Sequence, residues 1–335
     1  MQLRILSEND VRSVLRMTDS IDIQARAFTA LAEGQSIEGL RSFAVSESPP
    51  GVAIFNPSFL KDGKGYGLKV VSDFYQNSGR GVPRMSALVA LFDGMTGQPR
   101  TVMEGGYLTD VRTGAGTALA ARYLCRKDSR VIAVIGAGRV ARNQLEALSV
   151  EHSFERVLVA TRSRERGEEF IDRMRIAGNG VPTDIELVDD RAKAVAEADI
   201  VVCGTTSHDP VFPGNSLRPG TFVVGAGAYA SDMREVDTET IQRANKHVID
   251  SKNDCLEDSG DLLMPAKEGV FDIERVVEIA DLIGGRAPGR ESEEEITFYK
   301  SMGVPIQDLV TAQFVEERAI DQGIGILIDI GGDHD

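Results

Sequence analysis

The run Val131-Ile-Ala-Val-Ile-Gly136-Ala137-Gly138-Arg139-Val140-Ala141 holds residue types at a spacing that suits phosphate binding. Five apolar residues read as a buried strand, and a G-x-G-x-x-A pattern follows it and opens a helix. Gly136 permits a tight turn, Gly138 lets the backbone approach a pyrophosphate, and Ala141 keeps the helix close to the strand. The helix start offers N–H groups and a positive dipole end to the phosphates. Ala137, Arg139 and Val140 complete the loop as cofactor contacts. A lone G-x-G-x-x-A is weak, and an ordinary strand–turn–helix is the alternative. The strand–helix–strand setting makes the signal specific.

The next strand, Val157–Ala160, ends in Thr161-Arg162-Ser163-Arg164. NAD enzymes place an acid near this point for the ribose 2′-hydroxyl, and no carboxylate stands here. Thr161, Arg162 and Ser163 are taken as cofactor contacts. A guanidinium pairs with phosphate in bidentate fashion, so Arg162 and Ser163 suit a 2′-phosphate. NADP(H) is the expected cofactor, with NAD(H) the other candidate. The competing reading makes Arg162 and Arg164 solvated surface charges. Cys203 and Thr205 follow the apolar run Ile200–Val202, at the strand end where such sheets bind ligands. Cys203 reads as a small packing residue near the nucleotide. Thr205 reads as a ribose or nicotinamide contact, and His208 as a substrate partner or a solvated loop histidine. Asp261 reads as a structural cap.

Two cations suggest acid–base and carboxylate chemistry. Arg112 lies in the first turn of a helix expected over Thr109–Leu124, beside Thr109 and Thr113. A guanidinium with free helix N–H groups makes an anion site. Lys69 follows Gly65-Tyr-Gly-Leu on an expected strand and would point inward by alternation. A desolvated lysine near a second cation loses its proton readily and can serve as acid or base. By residue type alone, an exposed lysine on a strand edge is the commoner case.

The elements that position these residues can be read in outline. Ser7 before Asp10 and an apolar stripe reads as a capped helix start, and Gly34 as its stop. Ile21, Ala25, Phe28 and Leu31 carry the stripe between them. Short apolar runs from Ser42 to Gly105 (Val52–Phe55, Gly67–Val71, Ser86–Phe92) alternate with turn residues and suggest a small sheet. Gly114 and Gly116 are costly in a helix, which points to close packing or a ligand. From Ser129 onward, strands alternate with helices, which implies a parallel sheet covered on both faces. Pro305–Gln322 reads as a final helix.

The chain has 335 residues, enough for two domains, and 42% are hydrophobic. Its formal net charge of −15 argues against nucleic acid or an anionic membrane as a partner. Cys125, Cys203 and Cys255 form no disulfide framework. With His152, His208, His247 and His334 they show no metal-ligand spacing, so no metal is expected. No apolar leader and no 18-residue apolar run is present, and the expected location is the cytoplasm.

The segments Gly67-Leu-Lys69-Val-Val-Ser72, Asp93-Gly-Met-Thr-Gly97, Leu108-Thr-Asp-Val-Arg112-Thr-Gly-Ala, the glycine loop and Tyr299-Lys-Ser-Met-Gly303 together resemble the ornithine cyclodeaminase/μ-crystallin family over nearly the whole chain. The resemblance implies an α/β subunit: a Rossmann doubly wound parallel sheet plus a smaller α+β substrate and dimerisation domain made from both chain ends. The expected division is 1–124 with 305–335 against 125–304. It further implies that Arg41, Lys69 and Arg112 line the substrate pocket, that Ser301 and Gly303 lie on the nicotinamide side, and that the chain forms a homodimer. Arg84 is a candidate for a second substrate carboxylate.

Two departures bear on activity. Cyclodeaminases of the family carry an aspartate after the fifth Rossmann strand, and Tyr229 stands there, with Asp232 three residues on. Val140 replaces the family's usual glutamine in the glycine loop. The leading expectation is an NAD(P)H-dependent reductase of a small α-imino acid: a pyrroline or piperideine carboxylate, the imine of pyruvate, or iminosuccinate. The alternatives are a cyclodeaminase using bound NAD as an internal redox catalyst, and an NADPH-dependent binding protein of the μ-crystallin type.

Overall fold

The computed structural model describes residues 1–39, 41–178 and 180–331, and His334 lies outside them. The chain divides into two compact units, Met1–Arg112 with Pro305–Asp335, and Thr113–Val304. The division falls inside the helix Gly106–Leu124, earlier than the expected boundary after residue 124.

In the first unit the capped start at Ser7 is present. Its Oγ accepts from the Asp10 N–H at 3.3 Å, and the Asp10 carboxylate accepts from the Ser7 N–H at 2.8 Å. The expected single helix is two, Glu8–Val14 and Met17–Ala32, because Leu15 turns extended between them. Gly34, at φ +65°, ends the second. The sheet runs in the order Ile326–Asp329, Gln2–Leu6, Pro99–Glu104, Met85–Phe92, Gly65–Phe74, Pro50–Leu60, Ser36–Glu38. Ser42–Glu47 pairs with Pro50–Leu60 off this path. The three expected strands here are longer than their apolar cores, since ladder hydrogen bonds continue past the residues that pack.

The helix Pro305–Asp321 packs on Met17–Ala32 and on the strands of this sheet. It is buried on nearly every side, including its polar residues Gln307, Asp308 and Thr311. A Cβ on Gly67 would come within 3.0 Å of Leu309, so the glycine lets this helix lie against the strand that carries Lys69.

The second unit holds a parallel eight-stranded sheet. Its order is Ile185–Leu187, Arg156–Ala160, Val131–Ile135, Ile200–Cys203, Phe222–Gly225, Thr297–Lys300, Lys246–Ile249, Val277–Glu278. The order reverses between Val131–Ile135 and Ile200–Cys203, which is the switch point where such sheets bind ligands. The late strand Thr297–Lys300 inserts at the centre and is fully buried. Its sequence Thr-Phe-Tyr-Lys hid it, since a lysine seldom sits in a core strand. Gly114 answers to packing: a Cβ there would meet the Asn143 carbonyl oxygen at 2.4 Å. Among the described residues, no helix is long and apolar enough to cross a membrane.

Candidate active site

The glycine loop sits at the switch point as a tight strand-to-helix turn. Gly136 has φ +113°, and a Cβ on it would meet the Gly204 carbonyl oxygen at 2.8 Å. Both features demand glycine. Its N–H donates to the Ala160 carbonyl at 2.8 Å, joining the loop to the neighbouring strand. Ala141 is fully buried, and a Cβ on Gly204 would clash with its backbone at 2.8 Å. A small residue is therefore required on both sides of this helix–strand contact. Gly138 precedes the helix Arg139–Glu151 and meets nothing within 4 Å, so its face stays open. Ala137 and Val140 are half-buried, and Arg139 is exposed. This cradle fits a dinucleotide pyrophosphate.

Beyond the second strand, Thr161 is half-buried and Arg162 exposed. Ser163 caps the helix Arg164–Ala177, its Oγ accepting from the Arg166 N–H at 3.3 Å. Arg164 is exposed against Asp189 and Glu168, as the solvated reading holds for that residue.

A buried polar network underlies the carboxyl ends of the other strands. The Glu235 carboxylate accepts from the Thr205 N–H at 2.6 Å and its hydroxyl at 2.9 Å, and from the Gly227 and Ala228 N–H groups at 2.7 and 3.1 Å. Two ligand-side loops are thereby tied to one side chain. Burial pushes the Glu235 pKa up, Lys300 opposing and Asp261 assisting. Lys300 is fully buried and donates to Asp261 and to the Ala228 carbonyl, both at 2.7 Å. Asp261 in turn accepts from the Glu235 and Val236 N–H groups at 2.6 and 3.0 Å; it lies inside the helix Gly260–Lys267 and ties it to that loop, where a cap was expected.

Asp250 accepts from the Met302 and Gly303 N–H groups at 2.6 and 2.5 Å and from the Tyr299 hydroxyl. Ser301 is buried, with its N–H on the Gly225 carbonyl at 3.0 Å. Cys203 is buried, and burial raises its thiol well above its usual value, so it supplies no thiolate. Neither Glu235 nor Asp250 was singled out from sequence. Both stand among other acidic residues, and nothing local marks them for burial.

In the first unit, Lys69 and Arg112 converge on Asp308. Lys69 Nζ lies 2.6 Å from Oδ2, and Arg112 Nε lies 3.0 Å from Oδ1. A second guanidinium nitrogen of Arg112 donates to Gln307 at 3.3 Å. All three charged groups are buried. Arg41 is half-buried and donates to Asn56 at 3.1 Å, and Asn56 is the cross-strand partner of Lys69. Burial lowers the Lys69 pKa from 10.5 to about 8; Asp308 opposes the shift, while Arg112 and Arg41 add to it. For Asp308, burial pushes up, but Arg112 and Lys69 prevail and hold the carboxyl below its usual value. The inward lysine is thus the one realised, and its alternative on an exposed strand edge is not.

Two buried cations share one carboxylate, which leaves the trio Lys69, Arg112 and Asp308 with one positive charge in excess. Asp308 escaped the sequence reading because it sits inside an apolar helical stripe. The polar pair Gln307–Asp308 at that helix's start was the available signal.

The helix bearing Arg112 begins at Gly106, not Thr109. The Gly106 and Tyr107 N–H groups are taken by the Glu104 carboxylate, and the Thr109 hydroxyl donates to the Gly105 carbonyl at 2.6 Å. Arg112 lies in the second turn, so the expected free N–H groups do not contribute beside it. Thr113 is half-buried, next in sequence. Arg84 forms a bidentate pair with Asp73 at 2.6 and 2.9 Å. Tyr229 is exposed, and Asp232 lies 3.5 Å from His208 at the surface. Among the described residues, no His, Cys, Asp or Glu cluster could hold a metal ion.

Residues 1–323 match the model of the ornithine cyclodeaminase/mu-crystallin family. The chain belongs to that family. A Δ1-pyrroline-2-carboxylate reductase of Bacillus cereus is 32% identical over 326 residues, covering 97% of this chain and 99% of that protein. The structure of Thermococcus litoralis Δ1-pyrroline-2-carboxylate reductase with NADH and L-proline superposes with a TM-score of 0.91 at 36% identity, over 96% of this chain and 99% of that one. An archaeal alanine dehydrogenase dimer with bound NAD gives 0.91 at 30% identity, over 99% and 100%. The fold is that of the family's NAD-binding enzymes: a parallel α/β sheet with a second, mixed sheet.

Proposed function

We propose that this protein is an NAD(P)H-dependent reductase that converts a small α-imino acid to the amino acid. The observation that carries the proposal is the buried Lys69–Asp308–Arg112 cluster, with Arg41 beside it. Its positive excess suits a substrate carboxylate, which Arg112 and Arg41 hold next to the C=N carbon. When bound, NAD(P)H supplies hydride to that carbon. Lys69 gives the imine nitrogen its proton, directly or through a water it holds, and Asp308 keeps the ammonium in place. The nitrogen gains one proton, the C=N bond becomes C–N, and NAD(P)+ is the other product.

Relatives that reduce pyrroline carboxylate support a cyclic imino acid, and the alanine dehydrogenase relative supports the imine of pyruvate as the linear form. Arg84 is engaged by Asp73, which favours a monocarboxylate over iminosuccinate. Tyr229 in the aspartate's place, with Asp232 at the surface, favours reduction over cyclodeamination. The intact proton donor favours an enzyme over a binding protein.

The cofactor we infer is NADPH in preference to NADH, on the strength of Arg162 and Ser163 and the missing carboxylate. The cytoplasm is the compartment we infer, where the free thiols Cys125, Cys203 and Cys255 stay reduced. A homodimer is supported by the sheet face opposite Lys69. There Phe55, Val70 and Leu88 align in one cross-strand row and Pro57, Leu68 and Ala90 in another, none of them buried.

The test is a panel of cyclic imino acids and of amine plus keto-acid mixtures, scored by NADPH and NADH oxidation. Turnover of a cyclic or linear α-imino acid is expected. Ammonia release from ornithine without net cofactor change would replace this reading with the cyclodeaminase one.

A further inference from the structure

Glu235 takes no part in the reduction step, yet it is fully buried and four donors converge on its carboxylate. The Thr205 N–H and hydroxyl reach one oxygen, and the Gly227 and Ala228 N–H groups reach the other. Each oxygen meets two donors, a set that suits a carboxylate without a proton. Ala228 is held a second time, by Lys300 Nζ on its carbonyl. Lys300 is fixed in turn by one oxygen of Asp261, whose other oxygen takes the Glu235 and Val236 N–H groups. Side chains from three separate stretches thus close a circuit around two loops.

The loops so held are in backbone contact. A Cβ on Gly227 would strike the Thr205 backbone, and a Cβ on Gly136 would meet the Gly204 carbonyl oxygen at 2.8 Å. The loop after Ile200–Cys203 is therefore wedged between the phosphate turn and the loop after Phe222–Gly225. In a dinucleotide site of this kind the adenosine ribose is read at the end of the second strand, here Arg156–Ala160. The rest of the cofactor then crosses the switch point in the other direction, onto the two loops that Glu235 holds.

We propose that Glu235 is a positioning residue for the nicotinamide half of the cofactor: it sets the loops at Thr205 and at Gly227 and Ala228 in the arrangement that receives the nicotinamide riboside. Being fully buried, it acts through those loops. The proposal rests on the dinucleotide reading given above. A glutamine keeps the shape of this side chain and removes one acceptor. In either flip of its amide, two of the four donors face an NH2 group, and a loop must move to relieve them.

Calorimetric titration with NADH, NADPH and ADP tests this without turnover. ADP carries the adenosine and pyrophosphate and lacks the nicotinamide riboside. Glu235→Gln should raise the Kd for the tighter-binding dinucleotide by about tenfold or more, the scale of one lost charge-assisted hydrogen bond. Its Kd for ADP should stay within about twofold of wild type, because the phosphate turn is held by its own backbone. Glu235→Asp keeps the charge on a shorter stem and should show the same split if the glutamine variant fails to fold. A parallel loss for ADP and dinucleotide would make Glu235 a general support of the unit and overturn the proposal. So would wild-type affinity for the dinucleotide in both variants. If wild type binds neither NADH nor NADPH more tightly than ADP, the dinucleotide reading itself falls.

Discussion

In the function proposed above, the glycine loop and the Lys69 cluster bind anions in opposite ways. The loop uses backbone: a positive-φ glycine, a helix start and small residues, all within residues 136–141. The cluster uses buried side chains from distant parts of the chain, Lys69, Arg112 and Asp308. A backbone site needs no desolvated charge and is set by local conformation. A side-chain site must bury ions together, and burial is what moves the Lys69 pKa toward neutrality. The first suits a cofactor that is held, the second a group that must exchange a proton.

The difference predicts how each site breaks. Lys69→Ala should have the largest effect on turnover, lowering kcat by roughly 10²–10⁴, the usual loss of a positioned acid. An unchanged kcat in steady-state imine reduction would remove Lys69 from the chemistry. Arg112→Ala should act through KM, by about 2–5 kcal/mol for a lost buried charge partner. Wild-type KM in that variant would show that the carboxylate binds elsewhere.

Asp308→Asn tests the cluster as a unit. It leaves two buried cations without their shared anion, and chemical denaturation should report a loss of roughly 3–5 kcal/mol. The pH profile separates a chemical role from a structural one. With Lys69 titrating at about 8, the proton donor is present below that pH and lost above it. Reduction should therefore decline above about pH 8. Because the Asp308 charge holds the Lys69 proton, Asp308→Asn should move that decline to lower pH. A break that stays in place would separate Lys69 from the titration.

For the backbone site, Gly136→Ala should weaken cofactor binding while leaving the Lys69 cluster intact. The strain at φ +113° amounts to about 1–3 kcal/mol, readable as a Kd shift in titration with NADPH. The smallest catalytic effect should come from Leu88→Asp on the opposite sheet face. Light scattering should show it as a monomer, and an unaltered dimer would move the interface elsewhere.

Legibility followed the same division. The capping pair Ser7–Asp10, the strand Val131–Ile135 and the turn at Gly136 are dictated by neighbours in sequence, so local sterics and hydrogen bonding expose them. The helix start at Gly106 is not legible from the apolar pattern, because the carboxylate that takes its first N–H groups belongs to Glu104, which precedes that pattern.

What the sequence alone determined is the phosphate turn, the alternation that builds a parallel sheet, and the cationic character of positions 69 and 112. What only the tertiary structure decided is which carboxylate meets those cations, how Lys300 can lie in a central strand, and which loops Glu235 ties together. Each of these joins residues far apart in the chain. The stability of a buried ion depends on the partner that folding brings to it, and residue type alone does not name that partner.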